Sequence, residues 1–348
     1  MHRRRFFRLT AGLAVAAAGY GAAGCGPAGG GGPVAGRLSI IAPAAHGQDA
    51  DLVARALAET VTGDGLALTA EVGNHPGGAG AAALAALAAA GGPGLPFARG
   101  GGLLVAGMPL VAGAEISGAV DLAGATTPLA RLVGERAVLA VSAGSRLRSF
   151  EDLAGGLRRD PAALAVGGRA LGSPEHILYG MIGKCLGVDA RLLDYAAYAT
   201  TAQSVEALHA GRVAAVLGPV RSLAGEIAAG RLRPLAVSAR ERIDGIEAPA
   251  LMELDVRLEY SDWRGVLGGA KMGAGDRESA VALCDRIDAS PRWRELCAAH
   301  GWERLYLSGD DFRHWLSTET ERTRGVLYEL GLLRPSDTNC RAGCVIRP

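Results

Sequence analysis

The sequence has few of the residues and motifs on which many enzymes and nucleic-acid-binding proteins depend. Aromatic residues make up 5% of the 348 residues, and only two of the 36 basic residues are lysines. No His-Glu-x-x-His, Gly-x-Ser-x-Gly or Gly-x-x-x-x-Gly-Lys motif occurs, so no common hydrolase or phosphate-loop chemistry is indicated. The formal net charge of +1 argues against a nucleic-acid partner, because such partners are usually bound by a basic face.

Patterns for metals and cofactors are equally scarce. The seven histidines are scattered along the chain, so no metal site is predicted. The glycine-rich stretch 77–83 loosely matches a dinucleotide-binding pattern. However, no acidic residue follows about 20 positions later at the end of a next strand. The sequence therefore predicts no cofactor.

The first 24 residues have the pattern of an export signal. A cationic cluster between Arg3 and Arg8 precedes an apolar stretch over 9–23, which is shorter than the ~20 residues of a membrane-spanning helix. This pattern predicts a signal peptide over 1–24. The arginine pair leaves twin-arginine export and general secretory export as alternatives. Removal of this segment leaves 32 basic against 35 acidic side chains, a net charge of −3.

The residues around Cys25 suggest how the exported chain is held. The segment Ala22–Cys25 resembles a bacterial lipoprotein box, with Ala22 where such boxes usually carry leucine. We expect the Cys25 thiol to be acylated and to anchor the protein at the outer face of the cytoplasmic membrane. The alternative is cleavage at another small-residue site, with Cys25 lost or free. If Cys25 is acylated, the glycine-rich segment 25–36 would serve as a flexible tether between the membrane and the folded domain.

Export would place the remaining cysteines in an oxidising compartment, where disulfides are stable. Cys284 and Cys297 lie almost equally far from the turn at 290–291, which separates two expected helices. A disulfide between them and two free thiols remain alternatives. Cys185 falls on the apolar stripe of a helix expected at 173–187, so we expect a buried thiol there.

Strand-like apolar runs alternate with segments of helical spacing through most of the chain. This alternation predicts an α/β fold with largely parallel sheets, built as two units in series. The segment 261–269 marks a return to the first unit, and 276–333 is expected to be mostly helical. Expected strands lie at 37–43, 66–72, 136–143, 162–168, 190–195, 212–220 and 232–239, and expected helices at 48–61, 77–92, 173–187 and 200–211.

Three turns, at 43–51, 74–80 and 172–176, each follow a strand and open a helix. Small residues in these turns leave backbone amides accessible, and a helix N-terminus carries roughly half a positive charge. If the three helix starts converged on one cleft, they would bind an anion without any arginine. The alternative is that they are ordinary capped turns.

Taken together, these turns resemble the motifs of the tripartite tricarboxylate transporter substrate-binding family, the Bug or TctC-type periplasmic receptors. The resemblance covers about residues 37–333. His46 and Gln48 stand where the family carries proline and glycine, and Ala199-Thr200 replaces a lysine-glycine pair, which indicates an uncommon ligand preference. The matching residues are Pro43, Gly47, Asp51, Ala54, Arg55, Asn74, Pro76, Gly77, Gly78, Gly80, Gly172, Ser173 and His176.

The resemblance implies an α/β, two-lobed fold of the type II periplasmic-binding-protein (Venus-flytrap) kind, in which each lobe has a central sheet flanked by helices. Lobe one would comprise residues 37–140, and lobe two residues 141–260. The return to lobe one and the C-terminal helices would occupy 261–333, followed by a tail at 334–348. The lobes would hinge near residues 140 and 260.

The resemblance also implies a function without catalysis. A monomeric receptor in the periplasm would capture a small organic acid, such as a di- or tricarboxylate, for the membrane permease subunits of a tripartite tricarboxylate transporter. Two alternatives remain. One is an exported α/β enzyme that acts on a carboxylate substrate with Ser173 and His176, and the other is a ligand sensor for a membrane kinase.

The predicted ligand site combines the resemblance with the chemistry of the residues. Backbone amides at 45–48 and 77–80 would hold carboxylate oxygens. Ser173 either caps its helix or offers its hydroxyl, and Asp51 either secures its helix or meets a ligand hydroxyl or ammonium group. Trp263 either lines the cleft or packs the hinge. The full predicted set is Ala45, His46, Gly47, Gln48, Asp51, Asn74, Pro76, Gly77, Gly78, Gly80, Ser173, His176, Tyr198 and Trp263.

Overall fold

The structure is a computed structural model that describes residues 35–90, 97, 100–270 and 272–333. The predicted signal peptide, the tether up to residue 34 and the tail lie outside these residues. The strands are β1 (Ala35–Ala42), β2 (Ala67–Asn74), β3 (Gly100–Gly107), β4 (Thr126–Glu135), β5 (Ala137–Ser142), β6 (Val166–Gly168), β7 (Tyr195–Ala197), β8 (Ala215–Pro219), β9 (Leu232–Val237), β10 (Asp262–Gly269) and β11 (Glu303–Ser308).

In the sequence, the helices lie between these strands, and the last helix follows β11. Within the described residues, no helix has the length and apolar character needed to cross a membrane. The helices are α1 (Asp49–Gly63), α2 (Ala81–Ala90), α3 (Met108–Ser117), α4 (Leu122–Ala125), α5 (Phe150–Arg159), α6 (Pro174–Cys185), α7 (Thr201–His209), α8 (Val220–Ala228), α9 (Ala274–Ala289), α10 (Pro291–His300) and α11 (Gly309–Glu329).

The strands form two mixed sheets, each at the centre of one lobe. The first sheet has the order β11-β4-β10-β3-β1-β2, with β1 parallel to β2 and β3, and β10 antiparallel to both its neighbours. The second sheet has the order β7-β6-β8-β5-β9. Strand β6 is parallel to β7 and β8, and β5 is antiparallel to β8 and β9. Because the carboxyl ends of parallel strands meet at one edge of a sheet, the loops that follow them come together there.

Over the part of the chain that the structure describes, the backbone passes between the sheets twice. The first passage is at Arg136, because strand β5 pairs with β8 and β9 of the second sheet. The predicted boundary at 140, which placed most of this strand in lobe one, is therefore too late. The second passage lies between Val237 and Asp262. Ser238 links the two connecting segments. Its hydroxyl accepts a hydrogen bond from the backbone N–H of Ala137 and donates one to the Tyr260 carbonyl.

Local signals explain where several elements begin. Ser149 and Asp152 form a reciprocal capping box at the start of α5, and Ser173 caps α6 with Pro174 in its first turn. The expected strand at 190–195 is wrong over most of its length. Asp189 caps a short 3-10 turn there instead, and β7 begins only at Tyr195.

The cysteines also differ from expectation. Cys284 and Cys297 are free, buried thiols in the apolar core of the first lobe, so the disulfide alternative is not formed. Burial raises the pKa of Cys284 to about 12 and that of Cys297 to about 11, so both stay protonated at neutral pH. Cys185 is exposed rather than buried, because α6 ends there and Leu186 takes the buried position.

Candidate ligand-binding cleft

A cavity of about 470 Å³ lies between the two lobes. The first lobe contributes the turn before α1, the loop at 77–80, the β3–α3 junction and the side chain of Arg264. The second lobe contributes the last residue of β8 and residues that follow β6, β7 and β8. The residues from the second lobe are Arg169, Ala199, Thr200, Thr201, Pro219, Arg221 and Ser222.

The loop at 77–80 supplies a backbone wall. Gly77 and Gly80 have φ values of 88° and 91°, which glycine adopts far more readily than other residues. A Cβ atom on Gly80 would also overlap the side chain of Leu110. Ala79 has a φ of 48°, an uncommon conformation for a residue with a side chain, and it too lines the cavity. Gly78 and Pro76 do not line it.

In the turn before α1, two of the backbone amides that we predicted to bind the ligand are bonded within the protein. Gly47 N donates to the Asp51 carboxylate at 2.8 Å, and Ala45 N donates to the Gln48 side chain at 3.1 Å, so these amides already have partners. The ring of His46 is largely exposed, and its Nδ1 lies 3.3 Å from the Asp51 carboxylate. Gly47, Gln48 and Asp49 line the cavity, next to the first-turn amides of α1, which have no acceptor within the helix.

Asp51 and Asn74 stabilise the turn before α1 but do not line the cavity. The Asp51 side chain is fully buried and accepts bonds from Arg55 at 3.0 Å and Asn74 at 2.8 Å. Asn74 also donates to the Ala44 carbonyl at 3.0 Å. Burial opposes ionisation of Asp51, but the bonds from Arg55, Gly47 and Asn74 outweigh it and lower its pKa to about 2. Asp51 therefore secures the start of α1 and does not face the cavity.

Ser173 and His176 lie outside the cavity. The Ser173 hydroxyl accepts the backbone N–H of His176 at 3.4 Å, so it is used as a helix cap. His176 Nδ1 accepts the N–H of Gly172 at 3.1 Å, and its ring stacks on Tyr195 at 4.2 Å. Burial lowers the pKa of His176 to about 4, so the ring is neutral. The two side chains are not arranged as a nucleophile and its base.

Tyr198 and Trp263 do not line the cavity either, but each adjoins a residue that does. Tyr198 packs its half-buried ring near Gly167, and the next residue, Ala199, faces the cavity. Trp263 is 1% exposed and packs edge-on against the aromatic rings of Phe312 and Trp315. Because side chains alternate along a strand, the next residue, Arg264, points to the cavity instead.

Three arginines that we did not predict line the cavity within the described residues. Arg169 and Arg221 come from the second lobe, and Arg264 lies on β10 of the first lobe. Arg169 follows the last residue of β6, and Arg221 lies just after β8. The rule that ligands meet the carboxyl ends of parallel strands would have pointed to both positions.

Four carboxylates surround these arginines. Arg169 contacts Asp49 at 2.8 Å, Glu175 at 2.7 Å and Asp262 at 3.5 Å. Arg221 pairs with Asp49 and with Glu135, and Arg264 pairs with Asp262 and lies 3.6 Å from Asp49. With three guanidinium groups and four carboxylates, the cluster carries one excess negative charge if every group is ionised.

The ionised forms of the groups in this cluster are not equally stabilised. Burial disfavours the Asp49 carboxylate, but Arg264, Arg169 and Arg221 outweigh it and lower its pKa. For Glu175, burial outweighs the attraction of Arg169, so its pKa is raised. Burial likewise opposes the charge on Arg169, but its neighbouring acids prevail and raise its pKa. Asp49 is thus better stabilised as an anion than Glu175.

The carboxyl oxygens of Asp49, Glu135 and Asp262 lie within 4.8 Å of one another, a spacing that a metal ion could bridge. The guanidinium groups of Arg169, Arg221 and Arg264 already pair with these oxygens. The positive charge between the acids is therefore supplied by the chain itself. This arrangement binds carboxylates through arginines and does not resemble a metal centre.

Solved structures with this fold have small bound acids in some cases. A TctC solute-binding protein from Polaromonas, solved without ligand, has 20% sequence identity and a TM-score of 0.70, and the match covers 84% of this chain and 98% of that one. A protein from R. palustris solved with adipate has 20% identity and a TM-score of 0.64, covering 85% and 97%. MatC from Rhodopseudomonas palustris, with bound malate, has 17% identity and a TM-score of 0.60, covering 86% and 99%.

No curated protein is significantly similar in sequence to this chain. Residues 53–332, by contrast, match the family described as the tripartite tricarboxylate transporter family receptor. The match spans both lobes and most of the elements that form the cleft. The chain therefore belongs to the tripartite tricarboxylate transporter receptor (TctC) family.

Proposed function

We propose that this receptor captures a small organic acid with two or more carboxylates in the cleft between its lobes. The observation that carries the proposal is the position of Arg169 and Arg221. Both reach across from the second lobe and converge on one carboxylate of the first lobe, that of Asp49. A pair of guanidinium groups that meets a carboxylate in this way is suited to a solute carboxylate as well.

The first lobe offers a second place for an acidic group. The glycine loop at 77–80 lines the cavity with backbone, and the N-terminus of α1 adds its partial positive charge on the same side. A solute with a carboxylate at each end would bridge the two lobes. The adipate and malate found in structures of this fold are both dicarboxylates, which supports the same class.

We further propose that the receptor works outside the cytoplasm as a monomer and passes its solute to the permease subunits of a tripartite tricarboxylate transporter. The family match supports the transport role. The signal over 1–24 and the acylation of Cys25 are proposals from the sequence. An acyl group on Cys25 and the tether that follows would keep the receptor close to the membrane.

A thermal-shift screen of the purified protein tests this function. We expect a rise in melting temperature with at least one acid from a panel of di- and tricarboxylates. A ligand that binds only the folded state stabilises by about 2.7 kcal/mol at 100 times its Kd. The matched control is the dimethyl ester of the best acid, which keeps the shape without the charge and should give no shift. No shift with any acid, or an equal shift with the ester, would contradict the proposal.

A further inference from the structure

Asp49 occupies an unusual place for a receptor of anions. Its carboxylate comes from the first turn of α1 in the first lobe, is 18% exposed and lines the cavity. It contacts Arg169 and Arg221 of the second lobe, and it lies 3.6 Å from Arg264 of its own lobe. Asp49 thus stands where a solute carboxylate would meet the same arginines.

The other three acids of the cluster have different places. Glu175 belongs to the second lobe, like its partner Arg169, so this pair does not join the lobes. Asp262 pairs chiefly with Arg264, its neighbour on β10. Glu135 does reach across the cleft to Arg221, but it does not line the cavity. Within the described cluster, Asp49 alone both faces the cavity and binds two arginines of the opposite lobe.

We infer that Asp49 is an internal carboxylate that holds the lobes together when no solute is bound, and that a solute must displace it from Arg169 and Arg221. The second half of this inference rests on the proposed function. The first half does not, because it depends only on the contacts of Asp49 with Arg169 and Arg221 across the cleft.

Charge decides what kind of solute can displace Asp49. The cluster already has four carboxylates against three guanidinium groups, so a further anion is repelled while Asp49 keeps its place. A solute with one carboxylate would merely exchange one ion pair for another. A dicarboxylate gains a second contact at the loop 77–80 and the start of α1, which offsets the loss. Asp49 therefore selects for solutes with at least two acidic groups.

The substitution Asp49→Asn separates this role from direct binding of the solute. It keeps the shape of the side chain, removes its charge and frees Arg169 and Arg221. We expect calorimetric titration of the full chain with succinate, malate, adipate and citrate to show at least about tenfold tighter binding of the best acid, which corresponds to about 1.4 kcal/mol. Without solute, small-angle X-ray scattering should show a larger radius of gyration than for the wild type, because the lobes are no longer held together.

Two further variants sharpen the test. Arg221→Gln should also open the unliganded lobes, but it should weaken binding of the acid, because it removes a partner of the solute. Glu71→Gln removes one negative charge from the same lobe at an exposed pair with Arg37 and should change neither measurement.

The outcomes distinguish this inference from the proposed function. If acids bind the wild type and Asp49→Asn weakens that binding, Asp49 contacts the solute directly and the displacement is wrong. If the radius of gyration without solute is unchanged in Asp49→Asn, the contacts of Asp49 across the cleft do not hold the lobes together. The first half of the inference is then wrong. If no acid binds the wild type or any variant, the proposed function fails, while the scattering result still decides whether Asp49 holds the lobes.

Discussion

Replacing Arg169 with methionine is expected to destabilise the protein by about 3–5 kcal/mol at neutral pH, because it removes one partner from a buried ion network. Arg169 bonds to Glu175 at 2.7 Å and to Asp49 at 2.8 Å. The Glu175 side chain is only 2% exposed, so it would be left charged, buried and without its guanidinium partner. The loss would appear as a lower free energy of unfolding in urea.

The loss of stability in Arg169→Met should depend on pH, because it comes from the ionised Glu175 carboxylate. Burial already raises the pKa of Glu175 above its ordinary value of 4.5, with Arg169 opposing that rise. Without Arg169 the pKa of Glu175 in the folded state should rise further. A carboxyl group whose folded pKa exceeds its unfolded pKa costs stability when both states are ionised, and this cost disappears as the pH falls. The deficit of Arg169→Met should therefore shrink as the pH falls from 7 toward the ordinary carboxyl pKa of 4.5.

The matched control is Arg37→Met. Arg37 also pairs with a glutamate, but at an exposed site where both side chains are more than half exposed. Such surface pairs contribute about 0–1 kcal/mol. A deficit below about 1 kcal/mol for Arg169→Met, similar to that of the control and independent of pH, would contradict the description of the cluster as a buried network.

The second large effect is expected for Gly80→Ala. Its φ of 91° is unfavourable for a residue with a side chain, and the new Cβ would overlap Leu110. A left-handed conformation costs about 1–2 kcal/mol, and overpacking costs about 1–3 kcal/mol more, so we expect a total loss of about 2–5 kcal/mol. Because Gly80 and Leu110 both line the cavity, the affinity for the acid should fall as well.

Gly78→Ala in the same loop is the control for Gly80→Ala. Gly78 also has a positive φ, of 59°, but a Cβ there would meet only the Cβ of Ala81 at an ordinary 3.6 Å. We expect it to lose only the conformational part, about 1–2 kcal/mol. Equal losses of stability in the two variants would show that the close approach to Leu110 does not shape the loop.

Much of the fold was predictable from the sequence. The alternation of strand-like and helical segments, with the ordered turns, indicated the two-lobed α/β architecture that the solved structures of the family share. The glycine loop at 77–80 was predictable as a wall of the site, because its glycines and its place after a strand are local features. The first change of lobe was misplaced, since the sequence alone did not reveal that the strand after Arg136 pairs with the second sheet.

The charged part of the site was not predictable in the same way. The contacts of Asp49 with Arg169 and Arg221 join residues 120 and 172 positions apart in the chain. No local pattern records such pairs, and we expected an anion site without any arginine. Trp263 was predicted either to line the cleft or to pack the hinge, and it does not line the cavity. Its neighbour Arg264 does, because strand alternation lets only one of these two neighbours face the cleft.

A crystal structure of the protein with the acid that gives the largest thermal shift tests the central claim most directly. We predict a carboxylate of the solute within hydrogen-bonding distance of the guanidinium groups of Arg169 and Arg221, with Asp49 displaced from both. The second carboxylate should meet the loop at 77–80 and the start of α1. An acid bound outside the cleft, or in the cleft while Asp49 still holds both arginines, would contradict this account.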